Sequence, residues 1–157
     1  RNVFILKFHG DIRASAVESL SQEISAILLA AKTGDQVLLE LESGGGMVNS
    51  YGLAAAQLQR LRQANIHLTI AVDKIAASGG YMMACVADHI LAAPFAIVGS
   101  IGVLAQIPNF HRWLDKHNID FEQITAGKYK RTLTMFGKND PAGRAKMTAD
   151  IEQVHQL

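Results

Sequence analysis

The chain has 157 residues, of which 49% are hydrophobic and 18% charged, and a net charge of +1. This is enough apolar sequence for one sizeable core, and it excludes a disordered chain. The near-neutral balance offers nothing to nucleic acid or to an anionic membrane surface.

In chain order, Val3 to Phe8 is an apolar run of strand length. Ser15 and Glu18 have capping-box spacing, and Val17, Leu20, Ile24, Ile27 and Leu28 then recur at helical spacing. Gln36 to Glu42 predicts a second strand, which runs into Ser43-Gly44-Gly45-Gly46. The next helix carries Val48, Tyr51, Ala55, Leu58 and Leu61 on one apolar face. Arg60 and Arg62 fall in its last turn, where cations suit the helix dipole.

His67 to Val72 predicts a third strand, followed by a short turn and a small-residue helix after Ser78. The lone cysteine, Cys85, excludes an internal disulfide and, on that apolar helix, is expected in the core. Asp73 and Asp88 read as strand-end and turn residues. His89 to Ala92 is a fourth strand, and Pro94 opens a turn into Ile97-Val98 and Gly99-Ser100-Ile101-Gly102-Val103-Leu104. A short helix is expected from Asn109 to His117 around Trp113, then a strand from Asp120 to Ile124. Asp140-Pro141 places an N-cap and an N1 proline on a final helix with Met147, Ile151 and Val154 as its apolar face.

Strands alternating with helices predict an α/β fold with a largely parallel sheet. No linker-like segment divides the chain, so residues 1–157 are expected to form one domain. The missing initiator Met and an end inside a helix suggest a domain excised from a longer protein. No run of 18 apolar residues is present, so no membrane-spanning helix is predicted.

Two turns carry the chemistry. Ala77-Ser78-Gly79-Gly80 puts a hydroxyl at the start of a helix, beside free backbone N–H groups. Gly44-Gly45-Gly46 opens another strand-to-helix turn, where glycine permits positive φ and close approach of backbone to a ligand. One N–H from each turn can form a two-donor oxyanion hole, which points to acyl transfer. A phosphate cradle is the competing use, but neither G-x-x-x-x-G-K nor G-x-G-x-x-G occurs.

The six histidines show no metal spacing. His111 is the one downstream candidate for a Ser-His arrangement, and the lysines of Gly127-Lys128-Tyr129-Lys130 are the other source of a base. A lysine serves as base only in its neutral form, which burial or nearby positive charge favours.

These motifs resemble the signal peptide peptidase A family of serine proteases, most closely its SohB branch. The resemblance is carried by Asp73-Lys74-Ile75-Ala76-Ala77-Ser78-Gly79-Gly80-Tyr81, Gly99-Ser100-Ile101-Gly102-Val103, Gly127-Lys128-Tyr129-Lys130 and Ser43-Gly44-Gly45-Gly46. It runs from Phe4 to the last helix. It implies a Clp protease/crotonase-like fold of repeated β-β-α and β-α units. It also implies a Ser/Lys dyad, with Ser78 as nucleophile, Lys130 as general base and Ser100 supporting that lysine. Gly79 and Gly45 would donate the oxyanion-hole N–H groups, with no cofactor or metal. Gly44 stands where the family's usual S-P-G-G loop has proline, and Pro94 to Leu104 lacks the histidine that the related Clp proteases use.

The resemblance further implies a homo-oligomeric ring or dome with sites near subunit interfaces. An N-terminal anchor would hold the protease domain at the inner membrane, facing the periplasm or cell exterior. Membrane-derived peptides, signal peptides or misfolded proteins are the implied substrates, with small or apolar side chains before the cleaved bond. Met47, Ile75, Met82 and Val103 suit an apolar lining. Two alternatives remain: a crotonase-like acyl-CoA enzyme, indifferent to loss of the Ser78 hydroxyl, and a non-catalytic peptide-binding scaffold, indifferent to loss of Lys130.

Overall fold

The computed structural model describes residues 1–157. It divides into two compact units, Arg1–Ile101 and Gly102–Leu157.

The first unit is an α/β layer. Its elements are β1 (Val3–Gly10), α1 (Val17–Ala30), β2 (Gln36–Ser43), α2 (Val48–Gln63), β3 (His67–Val72), β4 (Ile75–Ala77), α3 (Gly79–Ala84), β5 (His89–Ala92) and β6 (Ile97–Gly99). All strand pairings are parallel, as the alternation of strand and helix predicts. β2 is the hub. It pairs with β1 along its whole length, from Val3↔Gln36 to Gly10↔Ser43. On its other edge it pairs with β3 up to Glu40↔Ala71, then with β4 through Ser43↔Ala76. The sheet therefore forks: β3 continues to β5, and β4 continues to β6.

Period-two patterning decides which face is buried. Leu6 and Phe8 of β1, Val37, Leu39 and Leu41 of β2, and Leu68, Ile70 and Val72 of β3 all enter the core. Leu20, Ile24 and Ile27 of α1 and Tyr51, Ala54, Leu58 and Leu61 of α2 are buried in the same core. The alternate positions of β1 and β2 point away from it and carry a cross-strand pair, Lys7 Nζ to Glu40 Oε2 at 2.9 Å.

Several local expectations change. The Ser15–Glu18 capping box does not form. The Asp11 carboxylate accepts the backbone N–H of Arg13 and Ser15 and the Ser15 hydroxyl, at 3.1, 2.9 and 2.6 Å, so an Asx-type turn claims the serine before the helix starts. β4, which the sequence pattern does not predict, is the short continuation of β3 after a bend at Asp73-Lys74. Cys85 is exposed rather than in the core. Helix α3 ends at Ala84, and Met83 and Ala84 take its buried face, which turns the next residue outward.

The second unit contains α4 (His111–Lys116) and α5 (Pro141–His155). No strand forms over Asp120 to Ile124, because no neighbouring strand is present to pair with it. Instead, Phe121 packs on Phe136 and Phe136 on Phe110, with ring centroids 5.7 and 6.2 Å apart. Asp140 caps α5 as predicted, accepting the Gly143 N–H at 2.6 Å, with Pro141 in the first turn. Only Gly143 of α5 is buried, so the expected Met147, Ile151 and Val154 face stays partly open.

Candidate active site

Parallel pairing brings the C-terminal ends of β2 and β4 side by side, and the two glycine turns leave from those ends. A Cβ built on Gly45 would lie 2.7 Å from the Ser78 Cβ, 2.7 Å from the Gly79 nitrogen and 2.8 Å from the Ala77 carbonyl oxygen. Gly45 has φ +86°, which disfavours any side chain in its own right. Glycine here lets the two turns touch. The structure thus brings Gly45, Ser78 and Gly79 together.

Ser78 occupies the N-cap position of α3, but it does not behave as a cap. Its φ and ψ are +51° and −118°, and its side chain makes no capping hydrogen bond. Capping is the ordinary use of a serine at this position and requires β-region angles. Positive φ in a non-glycine residue costs on the order of 1–3 kcal/mol and persists only where the surroundings enforce it. They do so here. The Ser78 N–H donates to the Gly99 carbonyl at 2.9 Å, and the Ser78 carbonyl accepts the Met82 N–H at 2.9 Å. Both backbone ends are fixed, and the hydroxyl is left out of the helix. α3 has only six residues, so its dipole is a minor contribution beside this constraint.

Ser100 follows the residue that holds the Ser78 N–H, and it too has positive φ, +55°. Lys130 belongs to the second unit, is exposed, and donates its backbone N–H to the Gly127 carbonyl at 3.2 Å. There it borders an open groove of ≈ 900 Å³ together with Ile107, Ile124, Leu133, Met135 and Phe136. The neighbouring Tyr129 ring lies under two ammonium groups, Lys128 at 5.2 Å and Lys146 at 5.7 Å from its centroid. His111 starts α4, also in the second unit. Of the expected apolar lining, Met47 and Met82 are 47% and 39% exposed in the first unit. No cluster of three or more His, Cys, Asp or Glu side chains forms.

Ser43 and Tyr51 join the two turns, although the sequence marks them only as a loop residue and a core residue. Ser43 is 2% exposed and Tyr51 is 0% exposed. The Tyr51 hydroxyl donates to the Asp11 carbonyl oxygen at 2.7 Å. That fixes the direction of the next bond: at 2.6 Å, the Ser43 hydroxyl must donate to Tyr51 Oη. The Ser43 oxygen in turn accepts the Gly45 N–H at 3.0 Å. Burial raises the Tyr51 phenol above its ordinary pKa, so it remains a donor at neutral pH. The sequence signal was the tyrosine itself among aliphatic positions, since a buried phenol needs partners.

Comparison with known proteins shows the family. The Peptidase family S49 model matches residues 60–157, and the model of that family's N-terminal part matches residues 1–58. The chain is 60% identical over 155 residues to "Probable protease SohB" of Buchnera aphidicola subsp. Schlechtendalia chinensis, covering 99% of this chain and 51% of that protein. It is 59% identical over 155 residues to "Probable protease SohB" of Haemophilus influenzae, covering 99% and 44%. The chain thus spans about half the length of the curated relatives it matches. Among solved structures it is similar to a ClpP1 mutant from Listeria monocytogenes, with TM-score 0.42 and 13% identity, covering 54% of this chain and 46% of that one.

Proposed function

The chain belongs to peptidase family S49, and on that premise we propose that it is the endopeptidase domain of a SohB-type protease working through Ser78 and Lys130. One observation carries the reading: Ser78 is held at positive φ, outside its capping role, with Gly45 pressed against it and against Gly79.

The proposed chemistry adds Lys130 to that arrangement, on the family resemblance. The neutral amine of Lys130 takes the Ser78 hydroxyl proton as the oxygen adds to the scissile carbonyl. The resulting oxyanion accepts the N–H groups of Gly79 and Gly45. At rest the Gly45 N–H donates to the Ser43 hydroxyl, and a charged oxyanion is about twice as strong an acceptor as a neutral one. As the tetrahedral intermediate collapses, the C–N bond breaks and the leaving amine takes the proton from Lys130. Water then adds to the acyl-enzyme, giving a proton to Lys130, which returns it to the Ser78 oxygen as the ester C–O bond breaks and the acid product leaves. Ser100 supports the lysine. The exposed Met47 and Met82 suit peptides with small or apolar side chains before the cleaved bond, as membrane-derived, signal or misfolded segments have. Anchoring at the inner membrane with the domain facing the periplasm, and assembly into a ring with sites near subunit boundaries, complete the proposal.

The test is mass spectrometry of the full-length assembled protein after exposure to a fluorophosphonate. An adduct on Ser78 is expected. Peptide cleavage without that adduct, or unchanged cleavage by Ser78→Ala, overturns the assignment.

A further inference from the structure

The structure assigns Tyr51 a role beyond the core: it is the positioning residue that sets both oxyanion turns from below. The inference rests on the proposed use of Gly45 and Gly79. Two separate contacts carry it. The Tyr51 ring lies directly beneath Gly79, where an added Cβ would be 2.7 Å from the Tyr51 Cβ and 2.8 Å from its Cδ2. Its hydroxyl reaches the other turn through Ser43, whose oxygen holds the Gly45 N–H. Gly10 leaves room for this meeting, because a side chain there would run into the Tyr51 and Ser43 hydroxyls.

The direction of the hydrogen bonds gives the chain its effect. Asp11 offers a carbonyl, which can only accept, so the phenol proton goes there. The Ser43 proton is then committed to Tyr51, and the Ser43 lone pair meets the Gly45 N–H at rest, holding the turn in shape until the oxyanion forms and takes that N–H. A serine without this partner could rotate and present its proton to the loop instead, and the three-glycine turn has no side chain of its own to hold its shape. The edge-to-face packing of Phe8 on Tyr51, with centroids 6.5 Å apart at 74°, also holds the ring. Small displacements of groups that meet the transition state are costly, about 100-fold for about 1 Å.

The experiment uses the full-length protein and compares Tyr51→Phe with wild type, with Ser78→Ala as control. Phenylalanine keeps the ring under Gly79 and removes only the hydroxyl. Expected is a fall in kcat of about 10- to 100-fold with KM within about twofold. Affinity for a peptide boronate, which forms a tetrahedral adduct, should fall by the same factor. Ser43→Ala should match Tyr51→Phe, and Ser43→Thr, which restores a hydroxyl, should recover most of the loss. Wild-type or raised kcat in Tyr51→Phe overturns the inference, as does a fall in kcat with boronate affinity unchanged. If Tyr51→Phe does not fold, the Ser43 pair decides by the same criteria. Cleavage that survives in Ser78→Ala is a different failure, that of the proposed nucleophile.

Discussion

Gly45 and Ser78 stand so close that any side chain on the first would overlap the second, with 2.7 Å between the two Cβ positions. The turns from β2 and β4 are therefore one surface. Gly45→Ala adds this overlap to a positive φ that alanine tolerates poorly, a backbone cost of about 1–2 kcal/mol. Peptidase kcat should fall at least about 100-fold, the loss typical of a displaced oxyanion donor. Steady-state kinetics at equal folded fraction checks this. Near-normal kcat would remove Gly45 from the site.

Lys130 is proposed to act by giving and taking a proton, which separates it from a residue needed only for its charge. Arginine keeps the charge and cannot be deprotonated in a protein. Lys130→Arg and Lys130→Ala should therefore lose activity alike, by about 10²–10⁴-fold. Full activity in the arginine variant would assign the position an electrostatic role instead.

Asp35 links the start of the chain to the loop before β2. Its carboxylate is buried and accepts the Asn2 N–H at 2.7 Å, the Lys32 N–H at 3.0 Å and the Asn2 side-chain amide at 3.4 Å. These bonds, the Asn2 N–H first, hold its pKa below the ordinary 3.8. A depressed carboxylate stabilises the fold fully above its unfolded pKa, and that stabilisation is lost as pH falls through the folded value. Asp35→Asn should lower Tm at pH 7, and the gap to wild type should narrow below pH ~4. A gap that stays constant down to the acid transition would show that ionisation of Asp35 does not contribute.

Cys85 is exposed at the end of α3, one helical turn after Tyr81, whose phenol the Cys85 side chain holds above its ordinary pKa. A thiol reagent should titrate one thiol per chain in the native protein, at a rate insensitive to mild denaturant. Reaction only after unfolding would return Cys85 to the core.

Much of the first unit was legible because its patterns are local. Alternation in β2 and β3 marked the buried face, and Asp140-Pro141 marked the start of α5. The turn around Ser78 was also visible as a motif, though its strain was not. That strain comes from β6, through the Gly99 carbonyl, and no spacing rule encodes a bond to a later strand. The same limit hid the partners of Tyr51, since helical periodicity sorts residues by face and says nothing of where a hydroxyl ends. Ser15 failed as a cap because Asp11, four residues earlier, competes for it. Asp120 to Ile124 has strand composition but no strand to pair with, and composition alone cannot supply a neighbour.

The fork in β2 has a consequence for the order in which the protein becomes chemically competent. Its two branches are parallel to it and share one crossover, through α2, because β4 only continues β3 past a bend, and such long-range pairings form more slowly than hairpins. Gly45 and Ser78 are neighbours through the β2–β4 pairing at Ser43↔Ala76. A chain in which that pairing has not formed therefore lacks the contact between the two turns.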